Sequence, residues 1–224
     1  PWFTLTYRSD DRVAGESLAP RYQAEPHVAG SAIYCLVTKE DFSALHALQT
    51  DEIWHYYGGD PLELLLLYPD GHGETVILGP DILQGQHPQF VVPRGVWQGS
   101  RPIGPGPDSY TLFGDTLAPG FEYTDNRMGY RDELQKLYPR FSELISALTR
   151  AEFATRPADA KKSVPPLSVP PPSRAVFSPG DTPSIEVGAG ISLHELVGRE
   201  AIAQTDQYSI ARFTVAPGHA TITS

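Results

Sequence analysis

The sequence predicts an all-β protein, a sandwich or barrel of the jelly-roll kind. Between about residues 2 and 123, short segments rich in β-branched and aromatic residues alternate with segments rich in Gly, Pro and Asp. No segment between them is long enough for the helix that joins two parallel strands. The strands are therefore expected to pair in antiparallel fashion.

Each predicted strand is a run of strand length that ends at turn residues. In chain order the runs are "PWFTLTYRS", "SAIYCLV", "DEIWHYY", "LELLLLY", "ETVILG", "QFVVP" and "YTLFGDTLA". The fourth and fifth runs are expected to form a hairpin, because "PDG" between them is a turn sequence. Together these runs predict one barrel domain over residues 1–130.

The rest of the chain has a different composition. Apolar residues recur at spacings of three and four over residues 131–155, which predicts a pair of amphipathic helices with Pro139 opening the second. Residues 156–173 are dense in Pro, Ser and charge, and are predicted to be an extended linker. Residues 174–224 contain further strand-like runs, and are expected to form a C-terminal strand arm or the start of a second domain.

Composition argues against several classes of partner. The 224 residues carry a formal net charge of -10 and no basic stripe, so binding to nucleic acid or to an anionic membrane is not expected. No apolar run approaches the roughly 20 residues of a membrane-spanning helix. Cys35 is the only cysteine and lies in an apolar run, which predicts a buried, inert thiol. A cytoplasmic protein is the simplest inference.

Four phrases carry the candidate chemistry: "SAIYCLV", "HALQTDEIWHYYGGDPL", "VPRGVWQ" and "APGF". Together they resemble the cupin superfamily, and within it a small branch described as a domain of unknown function (DUF985-like). The resemblance runs from roughly Trp2 to Tyr123 and implies the cupin double-stranded β-helix. It also allows residues 174–224 to begin a second cupin-like domain. Leu5 stands where the branch usually carries a glutamate.

The resemblance also implies where a metal would sit. Metal-binding cupins use two histidines and a glutamate from the first motif, and a third histidine from the second. His46 and Glu52 match two of these ligands, but Leu48 and Gln98 stand at the other two positions. Leucine cannot ligate a metal, and a neutral amide is a poor ligand for zinc or iron.

Two other histidines add little to such a site. In a regular strand, Glu52, Trp54 and Tyr56 share one face, whereas His55 lies on the other. His55 is therefore expected to be structural or to lie at the rim. Nothing in the sequence places His87 in the pocket.

The leading hypothesis is a metal-independent, cofactor-free isomerase- or epimerase-like enzyme for a small sugar-like or carbonyl metabolite. It rests on a resemblance to metal-free sugar epimerases of the cupin fold. His46 would be the catalytic base and Glu52 its partner or acid. The substrate is expected to contact a set of polar and aromatic residues, namely Gln98, Tyr110, Trp54 and Tyr56.

Two alternatives stay open. One is a metal-dependent cupin of the oxygenase or decarboxylase type, with Fe, Mn, Zn or Ni held by His46, Glu52, Gln98 and one further histidine. The other is a non-catalytic ligand-binding or storage-type barrel. In each case a homodimer is expected, because pairing or exchange of edge strands hides their open hydrogen-bonding groups.

Overall fold

A computed structural model describes residues 1–157 and, beyond them, the backbone of strands at 184–188, 191–198, 203–204 and 210–215. The first part contains twelve strands and two short α-helices. The strands are β1 (Trp2–Arg8), β2 (Arg12–Val13), β3 (His27–Val28), β4 (Ser31–Thr38), β5 (Ser43–Ala47), β6 (Glu52–Gly59), β7 (Leu62–Leu67), β8 (Gly73–Leu78), β9 (Gln89–Val92), β10 (Trp97–Pro102), β11 (Tyr110–Leu117) and β12 (Arg127–Met128).

Two five-stranded sheets form the jelly roll. The first has the order β1-β4-β11-β6-β9 and the second the order β12-β5-β10-β7-β8, while β2 and β3 form a small ribbon. The pairings within both large sheets are antiparallel, as expected. All seven predicted strands are present, and β7 and β8 form the predicted hairpin. The barrel stays open as two separate sheets that face each other.

Apolar side chains from both sheets fill the space between them. Trp54 on β6 stacks on Phe113 of β11, with ring centroids 4.6 Å apart. Leu64 and Leu66 on β7 reach the same cluster from the opposite sheet. Because one cluster contains residues of both sheets, the sheets pack face to face.

Strand β7 is buried on both of its faces. Leu64 and Leu66 face the first sheet, whereas Leu65 and Leu67 face outward, against two helices. These helices are α1 (Arg131–Leu137) and α2 (Ser142–Ala147), the predicted amphipathic pair. Pro139 begins the 3-10 turn Pro139–Phe141 that leads into α2. Double burial accounts for the nearly continuous apolar sequence "LELLLL".

The sequence did not predict β5 and β10. Their sequences, "SALHA" and "WQGSRP", contain Ser, Ala, Gly and Pro, which have low intrinsic strand propensity. Each is nevertheless paired on both sides, β5 with β12 and β10, and β10 with β5 and β7. These pairings give the two strands their structure despite their composition. Both strands carry residues of the candidate site.

The C-terminal unit is described by its backbone alone. Strands β13 (Ser184–Gly188), β14 (Ile191–Gly198), β15 (Ala203–Gln204) and β16 (Ile210–Val215) form one sheet. Strand β14 pairs antiparallel with β13 and β16, and parallel with β15. The predicted linker lies outside the described residues from residue 158 onward, so the predicted domain boundaries stay predictions. In the described part of the chain, no helix is long and apolar enough to cross a membrane.

Candidate functional site

A cavity of about 460 Å³ lies inside the jelly roll. Strands β1, β4, β6 and β11 line it from the first sheet, and β5 and β12 line it from the second. Most of its wall is apolar, including Phe3, Leu5, Ile33, Phe113 and Phe121. Its polar groups include His46, Glu52, Asp115 and Asn126. An apolar cavity with a few convergent polar groups is the usual form of a small-molecule site.

His46 points into the cavity because its neighbour Leu45 packs on the opposite face of β5, against the helices. Its Nδ1 lies 2.8 Å from the carbonyl oxygen of Ala44. Since a carbonyl oxygen only accepts, Nδ1 carries a proton and donates it. The Nε2 atom is therefore left as the group that can take up or release a proton on the cavity side.

The carboxylate of Glu52 stands next to this nitrogen. Nε2 of His46 and Oε2 of Glu52 are 3.9 Å apart, which is too long for a hydrogen bond but close enough for attraction. Burial alone would lower the pKa of His46, but the Glu52 carboxylate and the Ala44 carbonyl outweigh it. The net effect is a raised pKa. His46 is thus a stronger base than a free imidazole.

Gln98 holds Glu52 in place from the opposite sheet. The Gln98 side chain donates from Nε2 to Oε2 of Glu52 at 2.5 Å. Its Oε1 accepts from the indole Nε1 of Trp54 at 2.8 Å. Because an indole N–H can only donate, the amide orientation is fixed by its partners. All three side chains are buried, so this chain of bonds ties the two sheets together.

The residues present do not suit the metal site of metal-binding cupins. Leu48 lines the cavity at the position of a missing histidine and offers no donor atom. The oxygen of Gln98, its only possible ligand atom, accepts the indole N–H of Trp54. Among the described residues, no group of three or more His, Cys, Asp or Glu side chains could hold a metal ion. His46 and Glu52 alone would leave a metal under-coordinated.

Asp115 is a site residue that the sequence reasoning missed. It lies on β11, its residue is 6% exposed, and it lines the same cavity as His46 and Glu52. Burial and the charge of Glu52 hold the pKa of Asp115 well above its usual range. The signal in the sequence was the alternation of Phe113, Asp115 and Leu117, an acid between two apolar residues on one strand face.

The thiol of Cys35 also lines the cavity. It is buried, as predicted. Burial, with a contribution from Asp115, raises its pKa to about 12. The thiol is therefore protonated at neutral pH and poorly nucleophilic.

The predicted substrate contacts lie largely outside the cavity. Trp54 is buried in the core, and the Tyr56 hydroxyl donates to the carbonyl oxygen of Gly59. Tyr110 is exposed at the start of β11. None of these three lines the cavity, and Gln98 reaches it only through Glu52. Their roles in substrate binding stay predictions.

The other histidines of the barrel face elsewhere. His55 lies on the outer face of β6, with its Nε2 3.1 Å from Thr116 Oγ1 and its Nδ1 accepting from Gln89 at 3.2 Å. This is the structural role that strand alternation predicted. His87 is exposed and packs edge-on against Phe90.

Two arginines reach the cavity wall, but each is already paired. Arg8 donates to Glu122 at 2.6 Å, and Arg150 donates to Asp41 at 2.8 Å. Each arginine therefore has a carboxylate partner at the cavity wall.

Comparison with known proteins supports the fold. A family model described as "Cupin superfamily (DUF985)" matches residues 1–129. A hypothetical protein from Leishmania major is 29% identical with a TM-score of 0.58, over 66% of this chain and 88% of that one. A structural-genomics protein from Shewanella oneidensis is 29% identical with a TM-score of 0.56, over 66% of this chain and 85% of that one. A search of curated protein sequences finds no match. The chain belongs to the cupin superfamily, in the DUF985 family.

Proposed function

We propose that the cavity is an acid–base site that moves a proton next to the carbonyl group of a small metabolite. The protein would be a metal-independent, isomerase- or epimerase-like enzyme. The observation that carries this proposal is the arrangement of His46. Its Nδ1 is tied to a backbone carbonyl, and its Nε2 lies 3.9 Å from a buried carboxylate in an apolar cavity.

Each group has a chemical task in this proposal. His46 Nε2 removes a proton from the carbon beside the carbonyl, and Glu52 stabilises the imidazolium that forms. Gln98 positions Glu52 through its 2.5 Å hydrogen bond. The apolar wall excludes water, which strengthens the attraction between imidazolium and carboxylate.

The substrate proposed for the site is small, neutral and hydroxylated, such as an α-hydroxy aldehyde or ketone. The volume of about 460 Å³ is in the range of small-molecule pockets. The pairing of Arg8 and Arg150 with acidic residues supports a neutral rather than an anionic substrate.

Exchange with solvent deuterium tests the proposal without knowledge of the final product. We expect the protein in D₂O to catalyse deuterium uptake at the carbon next to the carbonyl in at least one member of a panel. The panel contains free aldoses, ketoses and small α-hydroxy ketones, and ¹H NMR follows the loss of each C–H signal. His46→Ala should reduce the rate by about 10²–10⁴-fold, the usual contribution of a positioned base.

His72→Ala is the matched control, since His72 lies exposed at the tip of the β7–β8 hairpin. This variant should exchange at the wild-type rate. Equal rates for His46→Ala and wild type would remove His46 from the reaction. Binding of a panel member with no exchange would support the alternative of a ligand-binding barrel.

A further inference from the structure

Asp115 is a buried carboxyl group that the reaction described so far does not use. It lines the cavity from β11, and its Oδ1 has no hydrogen-bond partner among the described residues. Native proteins rarely leave a buried polar atom unpaired, because the lost hydration is not replaced. An atom of this kind at a cavity wall is a place where a ligand can complete the bonding.

The register of the first sheet brings Asp115 close to Glu52. Asp115 pairs with Trp54, and Leu117 pairs with Glu52, so the two acids are diagonal neighbours on the inner face. Diagonal neighbours in an antiparallel pair lie about 7–8 Å apart. Two carboxyl groups at this separation in apolar surroundings resist simultaneous ionisation.

The two acids differ in their hydrogen bonding. Glu52 accepts from the Gln98 amide, an arrangement that suits a carboxylate. Asp115 has no such donor, and both its burial and the Glu52 charge raise its pKa. Of the pair, Asp115 is the one that its surroundings keep protonated.

Asp115 and His46 lie on opposite walls of the cavity. His46 is on β5 of the second sheet, and Asp115 is on β11 of the first. A substrate between them would meet a base on one side and a carboxylic acid on the other. This is the arrangement that acid–base catalysis at a carbonyl compound requires.

We propose that Asp115 is a second catalytic residue, a neutral carboxylic acid that protonates the substrate carbonyl oxygen while His46 acts at the neighbouring carbon. This inference rests on the proposed function. His46 Nε2 takes the proton of the C–H bond, and the electron pair of that bond forms the C=C bond of an enol. The carbonyl oxygen takes the Asp115 proton. Imidazole becomes imidazolium and the acid becomes a carboxylate, so the net charge of the site does not change.

Return of the two protons completes the reaction. For an isomer, imidazolium delivers its proton to the former carbonyl carbon, and the hydroxyl group on the carbon that lost its C–H proton gives its O–H proton to the Asp115 carboxylate as the new carbonyl forms there. For an epimer, the planar enol turns over in the cavity, imidazolium returns the proton to the opposite face of the original carbon, and the hydroxyl formed from the carbonyl returns its proton to Asp115. No oxidant or reductant is needed in either case.

A titration of the protein labelled with ¹³C at its aspartate carboxyls tests the protonation of Asp115. We expect one carboxyl signal to titrate well above the others and to be missing in Asp115→Asn. In Glu52→Gln the same signal should titrate at lower pH, because the neighbouring negative charge is gone. Asp108→Asn, at an exposed loop carboxyl, should leave this high-titrating signal in place.

The same variants are then compared for deuterium uptake on the panel compound that wild type exchanges fastest. Asp115→Asn should lower the rate by about 10²–10⁴-fold and remove the high-pH limb of the pH–rate profile. Asp108→Asn should match wild type.

The inference is overturned if Asp115 titrates with the exposed aspartates, or if Asp115→Asn exchanges as fast as wild type. In both cases the proposed function stands, because wild type still exchanges. If wild type exchanges no panel compound while Asp115 still titrates high, the proposed function has failed, and the catalytic role of Asp115 falls with it.

Discussion

His46 and Asp115 each bind a proton more tightly in the folded protein than in the unfolded chain. The pKa of His46 is raised from an ordinary value of 6.5, and that of Asp115 from 3.8. At any pH between the unfolded and the folded pKa, the group holds its proton in the folded state and has lost it in the unfolded chain. The resulting stability is complete below the unfolded pKa and is lost as pH rises through the folded pKa.

Asp115→Asn is therefore expected to change how stability depends on pH. The substitution keeps the side-chain shape but removes the ionisation that folding opposes. Wild type should lose stability as pH rises from about 4, the ordinary pKa of an aspartate, through the folded pKa of Asp115. Asp115→Asn should lose less stability over this pH range, because an amide does not ionise. Urea unfolding at a series of pH values measures this.

Asp108→Asn is the reference, because its exposed carboxyl should leave the wild-type curve unchanged. A stability curve for Asp115→Asn that runs parallel to the wild-type curve would contradict a raised pKa for Asp115.

The sequence placed part of the site but not all of it. The resemblance to the cupin motif, together with strand alternation, was enough to predict an inward-facing Glu52 and an outward-facing His55. Asp115 was not predicted as a site residue. Its position opposite Trp54 and diagonal to Glu52 is set by the register of the strands, which the sequence alone does not show. Gln98 is predicted to contact the substrate, and in the structure its amide binds Glu52 in the opposite sheet.

At the scale of elements, the helices α1 and α2 pack on the outer face of the second sheet. They cover the outward leucines of β7 and β5, and Ile145 of α2 is fully buried there. The apolar spacing of residues 131–155 was sufficient to predict both helices. The strands β5 and β10 were not predictable in the same way, because pairing on both sides, rather than composition, makes them strands.

Ile145→Ala is expected to destabilise the protein by about 2–5 kcal/mol, since a rigid sheet cannot collapse into the cavity that is left. Leu137→Ala is the matched control, because Leu137 on α1 is 62% exposed. The control should cost less than about 0.5 kcal/mol. Urea unfolding of both variants gives the comparison, and equal losses would mean that the helices do not pack on the sheet as described.

At the scale of the whole molecule, one face of the jelly roll exposes several aromatic side chains. The outer face of the first sheet carries exposed aromatic residues, with Tyr34 at 49% and Tyr57 at 51% exposure, and their rings contact each other edge-on. Trp2 and Tyr7 on the edge strand β1 extend this surface. Several exposed aromatic side chains on one sheet face are typical of an interface.

The homodimer is predicted from the pairing of edge strands, and we propose that its interface also includes this face, which reaches the edge strand β1. Light scattering coupled to gel filtration should give twice the mass of one chain for wild type, and a monomer for Tyr34→Arg, because a charge would be buried at the interface. Leu83→Arg, at a 91% exposed position in the 3-10 turn Ile82–Gln84, should stay dimeric. A wild-type protein that elutes as a monomer at micromolar concentration would refute the prediction.

The hydrogen-bonded chain from Trp54 through Gln98 to Glu52 links the fluorescence of a tryptophan to the cavity. The indole of Trp54 is linked to the cavity-facing carboxylate of Glu52 by two successive hydrogen bonds through the Gln98 amide. Its fluorescence should therefore respond to the electric field of Glu52, and so to any molecule that enters beside it. Trp2 and Trp97 can be replaced by phenylalanine to leave Trp54 as the sole emitter. The protein thus carries an intrinsic optical reporter, with which a ligand can be found before its reaction is known.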